Sequence, residues 1–344
     1  MSSIVSDEAL ATAMFTYSKI LSPSLQVLAI LANIFNIVTF CKIGLKDSVN
    51  VTFLAIAVSD VVYVVMDAFI SASVVIALSP WQRDLPVGML SLSGCVHFYQ
   101  FVFLDSSTCL ETYLAITRCC CVALPLKFKN MFTVTRTLII IIIIFTCNLF
   151  LRVPLFSSYG LAWLKSSTTN MTKLSFVSQK DFQTFNMVEQ VGARTVCPVI
   201  FLFISTLCSF LLTKSLVAAS LRRKLMTQCD SLVNNNASEK SQINEPITTK
   251  TLSAKEVQLV KAVTLVIFLL GNVLLVLSVF SLAQAAVAEF YPGKKYKNLH
   301  GVVTYAVNLL LISHAGYKSI IYYKFNTKYR STVNALLRLD SKLH

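Results

Sequence analysis

Residues 137–145 read Thr-Leu-Ile-Ile-Ile-Ile-Ile-Ile-Phe. Six successive isoleucines are poor helix formers in water, because each loses χ1 freedom against the preceding turn. In lipid the preference reverses, since only a helix satisfies its own backbone there. A spanning helix needs about 20 mostly apolar residues, and seven such stretches occur, at roughly 20–42, 51–78, 95–123, 137–158, 193–217, 257–285 and 299–323. The expected fold class is an all-α membrane protein, a seven-transmembrane helix bundle. Composition agrees, with 13% charged residues against about 25% in a soluble chain. The formal charge of +14 does not point to nucleic acid, because the basic residues sit in short loops between apolar runs.

Those loops set an expected orientation. With the N-terminus outside, 17 Lys and Arg fall on the cytoplasmic side and 9 on the extracellular side, so the bias places the C-terminus inside. The first residues lack the basic region and cleavage site of a signal peptide, and the first helix is expected to act as an uncleaved signal. The resulting organisation is an extracellular N-terminus over 1–19, a transmembrane domain over 20–323 and a cytoplasmic tail over 324–344. Asn170-Met-Thr is a glycosylation sequon in the expected extracellular loop between helices four and five. The sequons at Asn50 and Asn236 fall on the cytoplasmic side, where they are silent. The connection over 221–255 is polar and rich in Asn, Ser and Thr, and reads as a mobile loop. After helix seven, Tyr329, Val333, Leu336 and Leu337 share one helical face flanked by Lys328, Arg330 and Arg338, which suggests an amphipathic helix on the lipid of the inner leaflet.

Four stretches carry a family likeness. "NVTFLAIAVSD", Asn50 to Asp60, follows the pattern NLxLxxLAxAD. "TRCCCVALPLK" places Pro125 seven residues after Arg118, the spacing found after an Asp-Arg-Tyr motif. "LANIFNIVTF" puts Ala32-Asn33 where a Gly-Asn pair is usual, and "IIYYKFNTKYR" puts Tyr322 at the junction of helix seven with a short surface helix. In these the chain resembles the rhodopsin-like G-protein-coupled receptors of class A, over nearly its whole length. The details resemble orphan and chemosensory-type receptors of molluscs. The resemblance implies a plasma-membrane receptor with an extracellular ligand, chemosensory small molecule or peptide, and a heterotrimeric G protein and arrestin as partners. Activation would proceed by outward movement of helix six.

Departures from the pattern sharpen the questions. Thr117 stands where the family has an acid, so Arg118 lacks its usual neighbouring carboxylate. Cys119 replaces the motif tyrosine. Adjacent helical side chains point about 100° apart, so Cys119, Cys120 and Cys121 cannot jointly chelate a metal. Helix seven has Lys318-Ser319 in place of Asn-Pro. In the resembling family the positions of Asp60, Ser107 and Lys318 converge on a buried sodium and water site. Asn33, Asp60, Ser107, Glu111, His314 and Lys318 are therefore expected to form an intramembrane polar network, with the Lys318 ammonium against Asp60, Glu111 or both as a built-in cation. The alternative is a helix register one turn away, with Lys318 snorkelling to the inner interface.

The expected switch comprises Arg118, Thr117, Pro125, Tyr322 and Glu256. Glu256 either faces Arg118 or is a solvated acid at a helix N-terminus. The resemblance places a ligand pocket in the outer third of the bundle, with Asp67, Gln100 and Leu104 as candidate lining. It also raises a Cys95–Cys197 disulfide, because the loop over 159–192 holds no cysteine. The four histidines show no metal-ligand spacing, and no P-loop or Gly-x-Ser-x-Gly occurs. No metal or cofactor is implied and an enzyme is disfavoured. An ion or proton transporter using the intramembrane charges is the rival reading.

Overall fold

The structure is a computed structural model that describes residues 5–83, 85–123, 131–165, 171–235, 254–287, 289–290 and 293–337. It is a bundle of long helices with one short hairpin. Helix α1 runs Asp7–Ile43, α2 Ser48–Ala77, α3 Met89–Ala123 and α4 Val134–Ser157. Strands β1, Tyr159–Lys165, and β2, Thr172–Ser178, pair antiparallel. Helix α5 follows from Phe182 to Asn235, then α6, Ala254–Ala286, α7, Lys297–Phe325, and α8, Thr327–Leu336.

Six of these stretches are long and apolar enough to cross a membrane. Besides the ten-residue α8, the exception is α3, which is 35 residues long but carries Asp105, Glu111 and Arg118. Its position accounts for this: α3 packs against α2, α4, α5 and α6, so it needs less lipid-facing surface than a peripheral helix. The polyisoleucine helix α4 is the opposite case. It leaves Ile139, Ile142, Ile143 and Phe150 more than half exposed, a surface that water would penalise and hydrocarbon would not.

Several boundaries differ from expectation. The first helix begins at Asp7 rather than near residue 20, through a π turn at Tyr17–Leu21. Ser6 caps it by accepting from the Ala9 N–H at 3.1 Å, and Asn298 of α7 donates to Val5 O and Asp7 Oδ1. Capping and tethering order a segment whose own sequence is unremarkable. The fifth helix begins at Phe182, not 193, and has a second π turn at Gly192–Val196. It then continues to Asn235, through residues expected to be a loop. "SLRRKLMTQCDSLVNN" holds no Gly or Pro and is rich in good helix formers, so nothing in it stops the helix. The rest of that connection, 236–253, lies outside the described residues.

At the α1–α2 turn, Gly44 has φ +94°, a conformation open to glycine because it lacks Cβ. Its N–H donates to Phe40 O, and Asn50 donates to its carbonyl at 3.3 Å. Asn50 is buried. Farther along, Gly316 of α7 lies so close to Ala29 of α1 that an added Cβ would meet the alanine Cβ at 3.3 Å. Small residues allow such backbone approach between membrane helices.

Apolar side chains gather in two clusters. One holds Phe40, Phe53, Leu114, Leu212, Ile267, Tyr322 and Tyr329. The other holds Ala29, Tyr63, Leu104, Val273, Leu311 and Ile312, toward the hairpin. Tyr329 and Val333 of α8 are buried in the first cluster, whereas Leu337 is exposed. Half of the apolar face expected to lie on lipid thus packs into the bundle.

Candidate functional site

Between the two clusters lies a polar layer built from α2, α3 and α7. Asp60, Glu111 and Lys318 are each at most 3% exposed. Lys318 Nζ donates to Asp60 Oδ2 at 2.7 Å and also to Glu111. Ser107, one turn before Glu111, donates to the other Asp60 oxygen at 2.6 Å. His314, one turn before Lys318, places Nε2 3.1 Å from both Glu111 oxygens and Nδ1 2.6 Å from the Tyr317 hydroxyl. A carboxylate only accepts, so Nε2 carries the proton. The i, i+4 pairs on α3 and α7 bring all five groups to one level. An unpaired ammonium at this depth costs several kcal/mol; here it has two carboxylates, and the snorkelling alternative does not describe Lys318.

Asn33 belongs to a different chain of hydrogen bonds. It donates to the Ala315 carbonyl at 2.7 Å and accepts from Asn36 at 3.1 Å, and Asn36 accepts from the Tyr329 hydroxyl at 2.6 Å. This chain ties α7 to α1 and α1 to α8. Burial pushes the Tyr329 hydroxyl up to about 12, so it stays a donor across neutral pH. Tyr322 is 2% exposed between Phe40, Phe53 and Tyr329. Its hydroxyl has no hydrogen-bond partner among the described residues.

Arg118 is buried at the far end of α3. Thr117 turns its hydroxyl back to the Leu114 carbonyl at 2.8 Å and so is committed to its own helix. Cys119 donates to the Cys208 carbonyl of α5 at 3.5 Å. Pro125, Asn170 and Asn236 lie outside the described residues, as does the side chain of Glu256. Among the described residues no group of three His, Cys, Asp or Glu side chains could hold a metal ion.

Toward the hairpin, a cavity of about 200 Å³ opens between α3, α5, α6 and α7. Of the three candidate lining residues, Leu104 lies on it. Asp67 and Gln100 do not: Asp67 accepts from Gln26 of α1 at 2.7 Å, and Gln100 pairs with His97 one turn away at 3.0 Å. Both are buried and serve helix packing. Cys95 and Cys197 are free thiols. Cys197 shares a second cavity wall with Cys109, and Cys95 lies 14 residues earlier on α3, about 21 Å along a helix. The expected disulfide has no geometry to form.

The ionic cluster beside the cavity was not anticipated. Arg152 of α4 pairs with Asp105 of α3 and, through Nε at 3.2 Å, with Glu189 of α5. Arg194 stands 3.9 Å from Asp105 and 3.8 Å from Glu189, its guanidinium 3.2 Å above the Phe101 ring. On the opposite side Gln284 of α6 meets His300 of α7 at 2.8 Å. A lone arginine inside the apolar run "NLFLRVPLF" was the available signal, since a charge in a spanning helix needs a partner.

Residues 20–340 match the family model described as serpentine type 7TM GPCR chemoreceptor Srw, and the chain belongs to that family. No curated protein matches the chain. The family is one of receptors rather than enzymes, and the chain is a multi-pass membrane protein of chemoreceptor type.

Proposed function

We propose that the chain is a plasma-membrane chemosensory receptor of the rhodopsin-like kind, with seven spanning helices that include α3, the N-terminus outside and α8 against the inner leaflet. In this reading the cavity beside the hairpin binds an extracellular ligand, Asn170 carries a glycan, and the Arg118 end engages a heterotrimeric G protein and then arrestin. The same reading keeps the likeness to orphan and chemosensory-type receptors of molluscs as part of the proposal. The observation that carries it is the continuity of α3. One helix supplies a wall of the cavity through Leu104 and Asp105, the polar layer through Ser107 and Glu111, and the buried Arg118.

Ligand binding would bias two arrangements of α6 relative to α3, and outward movement of α6 would expose the G-protein site. Arg118 and Glu256 restrain the resting arrangement, a role that Thr117, bonded to its own backbone, leaves open. Lys318 serves as a permanent cation where related receptors would admit sodium. The test is ligand-stimulated nucleotide exchange on a G protein in reconstituted membranes. Exchange lost in Arg118→Ala, with ligand binding retained, supports the reading. Ion flux through liposomes, without nucleotide exchange, would replace it with a transporter.

A further inference from the structure

We propose that the cavity between α3, α5, α6 and α7 selects small organic acids, and that Arg194 is the residue that binds their carboxylate. This rests on the reading of that cavity as a receptor's ligand site. Two guanidiniums and two carboxylates meet beside it, Arg194 and Asp105 on its wall and Arg152 and Glu189 behind them on the second cavity, so the group is formally neutral, but the hydrogen bonds are unevenly shared. Arg152 holds Asp105, Glu189 Oε1 and the Asn148 carbonyl. Arg194 reaches the same carboxylates only at 3.8–3.9 Å, beyond hydrogen-bond length. Among the described residues, one of its terminal nitrogens is buried with no hydrogen-bond partner, although a guanidinium carries five N–H donors.

Arg194 and Asp105 line the cavity, Asp105 already held by Arg152, whereas Glu189 lines only the second cavity, between α3, α4 and α5. The facing polar groups include Gln284, Thr304 and Asn308, which are uncharged. A carboxylate entering here gains a charge-assisted and potentially bidentate pair. An ammonium would meet a guanidinium and a carboxylate already engaged by Arg152. The stacking of Arg194 on Phe101 fixes the plane of the guanidinium, so little freedom is lost on binding. The remaining wall is apolar, with Leu274, Leu277 and Phe280 placed to take a hydrocarbon tail. The volume of about 200 Å³ lies below the usual range for drug-sized ligands, about 300–1,000 Å³, so the acid is short.

The experiment uses the full chain in lipid nanodiscs and measures binding and thermal stabilisation by hexanoate, hexanol and hexylamine at matched concentration. Hexanoate is expected to bind and stabilise, with the alcohol and amine at least about tenfold weaker. Arg194→Gln should abolish the preference for the acid, and Arg194→Lys should retain part of it. Leu277→Trp, which fills the apolar end and leaves the ionic wall intact, should block all binding. Equal or tighter binding of the amine or alcohol overturns the proposal, as does unchanged acid selectivity in Arg194→Gln. No binding by any of the three probes also overturns it. The wild-type series needs no variant to fold. Acid binding without nucleotide exchange would support this inference while removing the receptor reading; exchange driven by the amine would do the reverse.

Discussion

Replacing Lys318 by methionine removes one positive charge from between Asp60 and Glu111 while keeping most of the side chain's volume. Both carboxylates touch the same ammonium, so the variant leaves two buried acids facing each other. Ser107 still serves Asp60, and His314 still serves Glu111. Removing one member of a buried ionic group typically costs about 3–5 kcal/mol. For a chain of this length that corresponds to a fall in melting temperature on the order of 5 °C. Sodium should repair the variant, because the vacated space is lined by carboxylate and hydroxyl oxygens. At a sodium concentration of about 100 Kd the recovery would be about 2.7 kcal/mol. The assay is thermal unfolding in nanodiscs across sodium concentrations, with potassium and choline as controls. Wild type should be insensitive to the cation, and Lys318→Met should be unstable in choline and rescued by sodium. A triple variant with Asp60→Asn and Glu111→Gln should recover stability without any cation. A sodium-sensitive wild type, or a Lys318→Met variant as stable as wild type in choline, would show that Lys318 does not balance this layer.

Tyr329→Phe removes the donor to Asn36 and should cost about 1–2 kcal/mol, read by thermal unfolding. Because its folded pKa is raised to about 12, the stabilisation is present below the unfolded value of about 10 and is lost as pH rises through 12. Tyr322→Phe, by contrast, deletes a buried hydroxyl that has no hydrogen-bond partner among the described residues and should be neutral or stabilising by up to about 1 kcal/mol; a loss like that of Tyr329→Phe would contradict the structure. Gly316→Leu forces α7 away from Ala29 and should destabilise by about 1–3 kcal/mol, whereas Gly271→Ala, whose added methyl would approach only Leu202 at 4.0 Å, should not. If Gly316→Leu melts with wild type, the α1–α7 approach is wrong.

Apolar runs long enough to span made the helices legible in the sequence, and i, i+4 spacing made Ser107–Glu111 and His314–Lys318 legible as faces. Charge in hydrocarbon demands a partner, so the meeting of Asp60, Glu111 and Lys318 followed from their depth. What stayed hidden depended on contacts between elements. The hairpin rests on backbone pairing between segments with no strong alternation. The start of α1 at Asp7 rests on Asn298, which is 291 residues away. Asp67 and Gln100 looked like pocket residues because they are polar and at the right depth. Only packing reveals that Gln26 and His97 already occupy them. Arg194 stands at the margin of the apolar run over 193–217, and only the earlier start of the helix at Phe182 places it inside the bundle.

The π turn at Gly192–Val196 has a consequence for how such receptors diversify. One residue corresponds to about 100° of helix rotation. The same five residues wound as ordinary α-helix would carry Phe182–Val191 around by about that angle and take Glu189 off Arg152; the wider π turn absorbs the extra residue instead. Deleting one residue between Gly192 and Val196 would restore ordinary α geometry with both flanks still in register. A chain can thus gain or lose a residue beside its cavity without turning the wall, and leave its far end unaltered.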